Sequence, residues 1–125
     1  MNGDVIRLQI PARPDYILAV RLAVSAIAQR IGFDIEDIED LKVASAEACI
    51  LLLAANPELV AISLTVDDGL ILCFEASGQA QGAENRTGDS ESMSQYLLDA
   101  LVDSCELTGS EGTVVSVRLE KKLLH

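Results

Sequence analysis

A chain of 125 residues fits one domain built around a single core. Half of it is hydrophobic, yet only 3% is aromatic and Trp is absent, so the interior must be made from Leu, Ile, Val and Ala. A formal charge of −11 argues against nucleic acid, whose phosphates need a basic surface that releases counterions, and equally against an anionic membrane.

No segment nears the roughly 20 apolar residues of a membrane span. The longest unbroken apolar run is Ala48 to Ala55. Asp4 and Arg7 lie in an alternating N-terminal pattern unlike a signal peptide, so a cytoplasmic protein is expected. Cys49, Cys73 and Cys105 are odd in number, far apart and set in apolar stretches, which reads as free, buried, inert thiols. The acidity itself calls for no specific partner; solubility accounts for it.

In chain order, Ile6, Leu8 and Ile10 alternate with polar residues and predict a half-buried strand over 4–10, ended by Pro11 and Pro14. Pro14 suits the first position of a helix, and Ile17, Val20, Val24, Ile27, Ala28 and Ile31 then form one apolar stripe up to Gly32. A second helix starts with Asp34 as N-cap and buries Ile35, Ile38, Leu41, Ala48 and Leu52. Ser45 falls in that stripe and is expected to return its hydroxyl to a carbonyl one turn back. Glu36, Glu39 and Asp40 crowd the early turns, where the helix dipole favours anions, and Asn56-Pro57 stops the helix.

Val60, Ile62, Leu64 and Val66, then Asp67-Asp68-Gly69, then Leu70–Ala76 give a β-hairpin. Residues 77–92 are polar and carry Gly78, Gly82 and Gly88, which reads as one long loop. Tyr96, Leu97, Ala100 and Leu101 suggest a third helix at about 93–103. Strands near 105–110 and 113–120 follow, joined by a turn at Glu111-Gly112. The order β-α-α-β-β-α-β-β predicts a single α+β domain over 1–125. It is a two-layer α/β sandwich in which helices cover one face of a mostly antiparallel sheet.

Pro11-x-x-Pro14-x-Tyr16, Arg21-Leu22, Ile38-Glu39-Asp40-Leu41-Lys42-Val43-Ala44 and Ala46-Glu47-Ala48-Cys49 resemble the bacterial anti-sigma-factor serine kinases, which have the histidine-kinase-type ATPase fold. The resemblance covers nearly the whole chain and is most specific over 33–49. It implies a homodimer, ATP and Mg²⁺ as cofactors, sequestration of a sigma factor, and phosphorylation of a Ser on an antagonist protein.

Three motifs decide how much of that transfers. The resemblance places a catalytic Glu at Glu47, but a Mg²⁺-ligating Asn at Leu51 and a His at Ala55, all on one helix face. Leu offers no oxygen to Mg²⁺. An Asp-x-Gly motif that reads adenine falls on Ala76-Ser77-Gly78, which keeps only Gly78 as a cofactor-side residue; Glu75 lies one residue earlier and would need a bulge to substitute. Glycines of a phosphate-binding lid fall on Glu91, Ser92 and Ser94. Glu47 is therefore read as a vestigial catalytic residue, with no metal ligands and no cofactor expected. The chain is expected to act by binding a sigma factor or an antagonist protein; the alternative is an active ATP-dependent serine/threonine protein kinase. His125 is the only histidine, which removes histidine-based general-base and metal chemistry from consideration.

Overall fold

The computed structural model describes residues 3–78, 88–110 and 113–123. Strand β1 (Val5–Pro11) leads through a 3-10 turn at Pro14–Tyr16 into helix α1 (Ile17–Ile31), followed by helix α2 (Ile35–Leu53). Strands β2 (Leu59–Val66) and β3 (Gly69–Ser77) form the hairpin; helix α3 (Gly88–Leu101) and strands β4 (Ser104–Ser110) and β5 (Thr113–Lys122) complete the chain. The sheet order is β1-β2-β3-β5-β4 and every pair is antiparallel, as the alternation of apolar residues anticipates. No helix among the described residues is long and apolar enough to cross a membrane.

Local chemistry sets the ends of the elements. Asp34 caps α2 as expected, its Oδ1 accepting the Asp37 N–H at 2.8 Å, with Glu36 and Asp37 in the first turn. The hairpin closes on Asp67-Asp68, with Asp68 at φ 53° and Gly69 at φ 150°. A Cβ on Gly69 would collide with the Lys121 carbonyl, so only glycine fits between β3 and β5 there.

The core is aliphatic. Ile62, Leu64, Leu72, Phe74 and Leu119 of the sheet and Val20, Val24, Leu41, Ala48, Leu52 and Leu98 of the helices are fully buried. Lys121, at the end of β5, ties this core to two helices. Its ammonium lies 3.5 Å from Asp37 and 3.6 Å from Asp40 of α2 and donates to the Leu101 carbonyl of α3 at 2.7 Å.

Several expectations need correction. Helix α3 begins at Gly88, so residues 88–92 are helical where a loop was expected. The rest of that loop (79–87) and the Glu111-Gly112 turn lie outside the described residues. Ile35 is 79% exposed, because at the first position of α2 it lies about 120° around the helix from Leu41. Tyr96 is likewise exposed; α3 meets the core through Ser94, Leu98 and Val102. Ser45 is fully buried, but its hydroxyl has no hydrogen-bond partner, so the expected bond one turn back is not made. All three cysteines are free, yet only Cys49 is buried, Cys73 and Cys105 being half-buried.

Ser45→Ala is expected to leave stability unchanged or raise it by up to about 1 kcal/mol in urea titration, since it removes a buried hydroxyl that nothing satisfies. Lys121→Met should lower stability by about 2 kcal/mol, because two acidic groups and a carbonyl lose one cation.

Candidate functional site

Helix α2 carries Glu47 in its second half, where one side of the helix meets the core and α3 packs alongside. Glu47 is half-buried. Its Oε2 accepts a 2.6 Å hydrogen bond from Ser94 Oγ of α3, and Ser94 is itself buried, at 8% exposure. A hydroxyl-to-carboxylate bond of this length is charge-assisted and among the stronger kinds. One turn on from Glu47 stands Leu51, buried in the core.

Ala55 lies two residues past the end of the helix. α2 ends at Leu53 and its last turn tightens, with the Ala54 and Ala55 N–H groups bonded to the Leu51 and Leu52 carbonyls at 3.3 and 3.1 Å. Of the three aligned positions, Glu47 and Leu51 stand within the helix.

At the end of β3 the ladder runs without a bulge, Val60 facing Ala76 and Leu59 facing Ser77. Ala76 thus points to the helix side with Phe74, and Glu75 is exposed on the opposite face. The bulge that Glu75 would need is not there. Gly78 follows with φ +79°, and a Cβ on it would lie 2.7 Å from the Glu58 side chain. Close approach to the start of β2 explains this glycine without a ligand.

Ser94 lies inside the regular turns of α3, so the backbone amide at this lid position serves the helical ladder. The side chains of Glu91 and Ser92 lie outside the described residues. Among the described residues no three His, Cys, Asp or Glu side chains converge as a metal-binding group. A crevice of about 460 Å³ lined by Asp4, Ile6, Ile27, Arg30, Ile31, Val66 and Leu123 shares no residue with the Glu47 cluster.

The pairing of Glu47 with Ser94 is what sequence reasoning missed. Ser94 aligns with a lid glycine and falls within the helix expected at about 93–103, but its partner Glu47 lies 47 residues away on another helix, which no local spacing shows. The usable signal was the step from Ser94 to Leu98 to Leu101 and Val102 at helical spacing, which puts Ser94 on the core side.

An α/β sandwich with an antiparallel sheet, a long helix bearing a carboxylate and a helix folded against it is the frame of a histidine kinase-like ATPase domain. Residues 10–119 match that domain family. Over 91% of its length the chain is 31% identical to the serine-protein kinase RsbW of Bacillus velezensis, covering 84% of that protein. With RsbW of Bacillus pumilus it shares 26% identity over the same shares of both chains. A shorter stretch, 38% of the chain and 30% of the relative, is 46% identical to RsbW of Bacillus subtilis. The chain belongs to the anti-sigma-factor serine kinase group of the histidine kinase-like ATPase family.

Ser94→Ala should lower stability by about 1–2 kcal/mol and speed amide hydrogen exchange across the middle of α3, since half of a charge-assisted bond is lost. Burial pushes the Cys49 thiol up to about 12. Burial, then the charge of Asp99, raises that of Cys105. A thiolate forms only as pH approaches the thiol's pKa, so alkylation at pH 8 should leave Cys49 unlabelled and label Cys105 more slowly than a free thiol.

Proposed function

We propose that this domain works as a non-catalytic regulatory module of a bacterial sigma-factor switch. In this reading it self-associates and binds a sigma factor or an antagonist protein without holding nucleotide. The observation that carries the reading is the bond from Ser94 to Glu47. The one carboxylate kept from the family's catalytic set is occupied within the fold, and its neighbours are apolar.

The chemistry around it agrees. Mg²⁺ binds to oxygens at octahedral geometry, and Leu51 supplies none. An adenine amino group needs an acceptor, and Ala76 has no side-chain acceptor while Glu75 faces away. The residues present do not fit Mg²⁺·ATP. What the family's frame retains is surface: the exposed Leu18 and Leu22 of α1 and Val43 and Ile50 of α2 lie on the outer side of the helices and are available to a protein partner.

An active serine kinase is the second reading, favoured by one feature. Glu47 holds a serine hydroxyl at the distance a general base would use, and the relatives are named serine-protein kinases. Phosphate transfer to an antagonist protein that is lost in Glu47→Ala would establish it.

Isothermal titration with ATP and ADP, with and without Mg²⁺, tests the first reading. No binding below millimolar concentration is expected. Mg²⁺-dependent binding in the micromolar range overturns it.

A further inference from the structure

The crevice of about 460 Å³ lies where β1 begins, β2 and β5 finish and α1 reaches its last turn. Glu47 stands about three turns along α2 from that helix's start, on none of these walls. Ile6 faces the fully buried Leu64 across the ladder, so Ile6 and Val66 lie on the helix-covered face of the sheet. The Asp4 carbonyl accepts the Val66 N–H at 2.9 Å, which extends that ladder and brings the Asp4 side chain to the same face. Ile27, Arg30 and Ile31, three and four residues apart, share one side of α1. Leu123 comes in from the end of β5, its N–H donating to the Asp68 carbonyl at 3.0 Å. Its Cδ2 lies 4.0 Å from where a Cβ on Gly32 would stand.

The walls are mostly aliphatic. Val66 is buried, while Ile6, Ile27, Ile31 and Leu123 pack against the core and remain half-buried. Small-molecule sites run from about 300 to 1,000 Å³ and combine apolar walls with a few polar groups that fix orientation. This crevice has that size and that composition.

The two polar residues are of opposite charge, and neither charge is used within the fold. Among the described residues, the Arg30 guanidinium and the Asp4 carboxylate have no hydrogen bond or ion pair, with each other or with any neighbour. The last turn of a helix favours a cation, which accounts for Arg30 but not for the carboxylate that shares its crevice. A ligand that satisfies the whole lining carries a carboxylate for Arg30, an ammonium for Asp4 and an aliphatic body for the walls. The planar guanidinium suits a carboxylate, which it can hold with two parallel bonds. A zwitterion has no net charge, so the −11 of the chain does not oppose its approach. A fatty acid or another simple anion is repelled and leaves Asp4 without a partner.

We propose that this crevice binds an apolar zwitterion, either a free aliphatic amino acid or a short aliphatic peptide with both termini free. Its carboxylate sits on Arg30, its ammonium on Asp4 and its side chain against Ile27, Ile31 and Val66. The site shares no residue with Glu47 or Ser94, so it does not depend on whether the domain holds nucleotide. A ligand here braces the end of α1 against β1 and stabilises the folded chain as it saturates.

The full chain is titrated with L-leucine and with leucyl-leucine, followed by calorimetry and by NMR of its Ile, Leu and Val methyl groups. Saturable binding below millimolar concentration is expected for at least one of them, with shifts centred on Ile6, Ile27, Ile31, Val66 and Leu123. The tighter of the two tells the free amino acid from the peptide. The amide of that ligand, which lacks the carboxylate, and its N-acetyl form, which lacks the ammonium, should each bind about tenfold more weakly. Arg30→Gln should bring the parent ligand down to the level of the amide, and Asp4→Asn down to that of the N-acetyl form. Both residues are exposed, and circular dichroism confirms the fold of each variant. Absence of binding by both zwitterions overturns the proposal. So do shifts centred elsewhere, or a blocked form that binds as tightly as its parent.

Discussion

Ala44, Ser45 and Ala48 are fully buried, and their small side chains let α2 lie close against the rest of the fold. Helix-to-neighbour spacing follows the size of the side chains at the contact. With α2 so placed, α1 packs along one side, α3 along another, and β3 and β5 lie beneath. The same seating fixes which way Glu47 points. Lys121 secures the other end of the helix through Asp37 and Asp40, so α2 is held at its start by charge and along its length by packing.

This constraint explains why the fold was legible and the site only partly so. The strands could be read from strict alternation, because a one-residue slip would turn Ile62 or Leu72 out of the core. The start of α2 could be read from Asp34, since only a short acceptor serves its first amides. The start of α3 could not, because Gly88 to Ser92 is polar and rich in glycine and serine, a composition shared by loops and helix N-termini. Ile35 misled because a hydrophobic residue at the first helical position belongs to no stripe until the helix phase is known.

For the site, sequence alone named Glu47 and Gly78 and the substitutions Leu51 and Ala76. It did not give the long-range contact from Ser94 to Glu47, which joins residues 47 apart and depends on how α3 docks. Nor did it give the reason for Gly78, which lies in the approach of Glu58 rather than in the residue pattern. Contacts between distant elements are properties of packing, and a single sequence carries them only implicitly.

The two faces of the molecule differ in what they can do. The helical side exposes Leu18, Leu22, Val43 and Ile50, while the open face of the sheet carries the row Arg7, Ser63, Cys73, Arg118 and Glu106. The proposal that the domain holds no nucleotide rests on the Glu47 carboxylate, which accepts the Ser94 hydroxyl. An amide-resolved NMR titration of the isotope-labelled chain with Mg²⁺·ATP tests this most directly. The account predicts that the signals of Glu47, Gly78 and Ser94 stay in place through millimolar nucleotide. Saturable shifts centred on those three residues at micromolar concentration would contradict it.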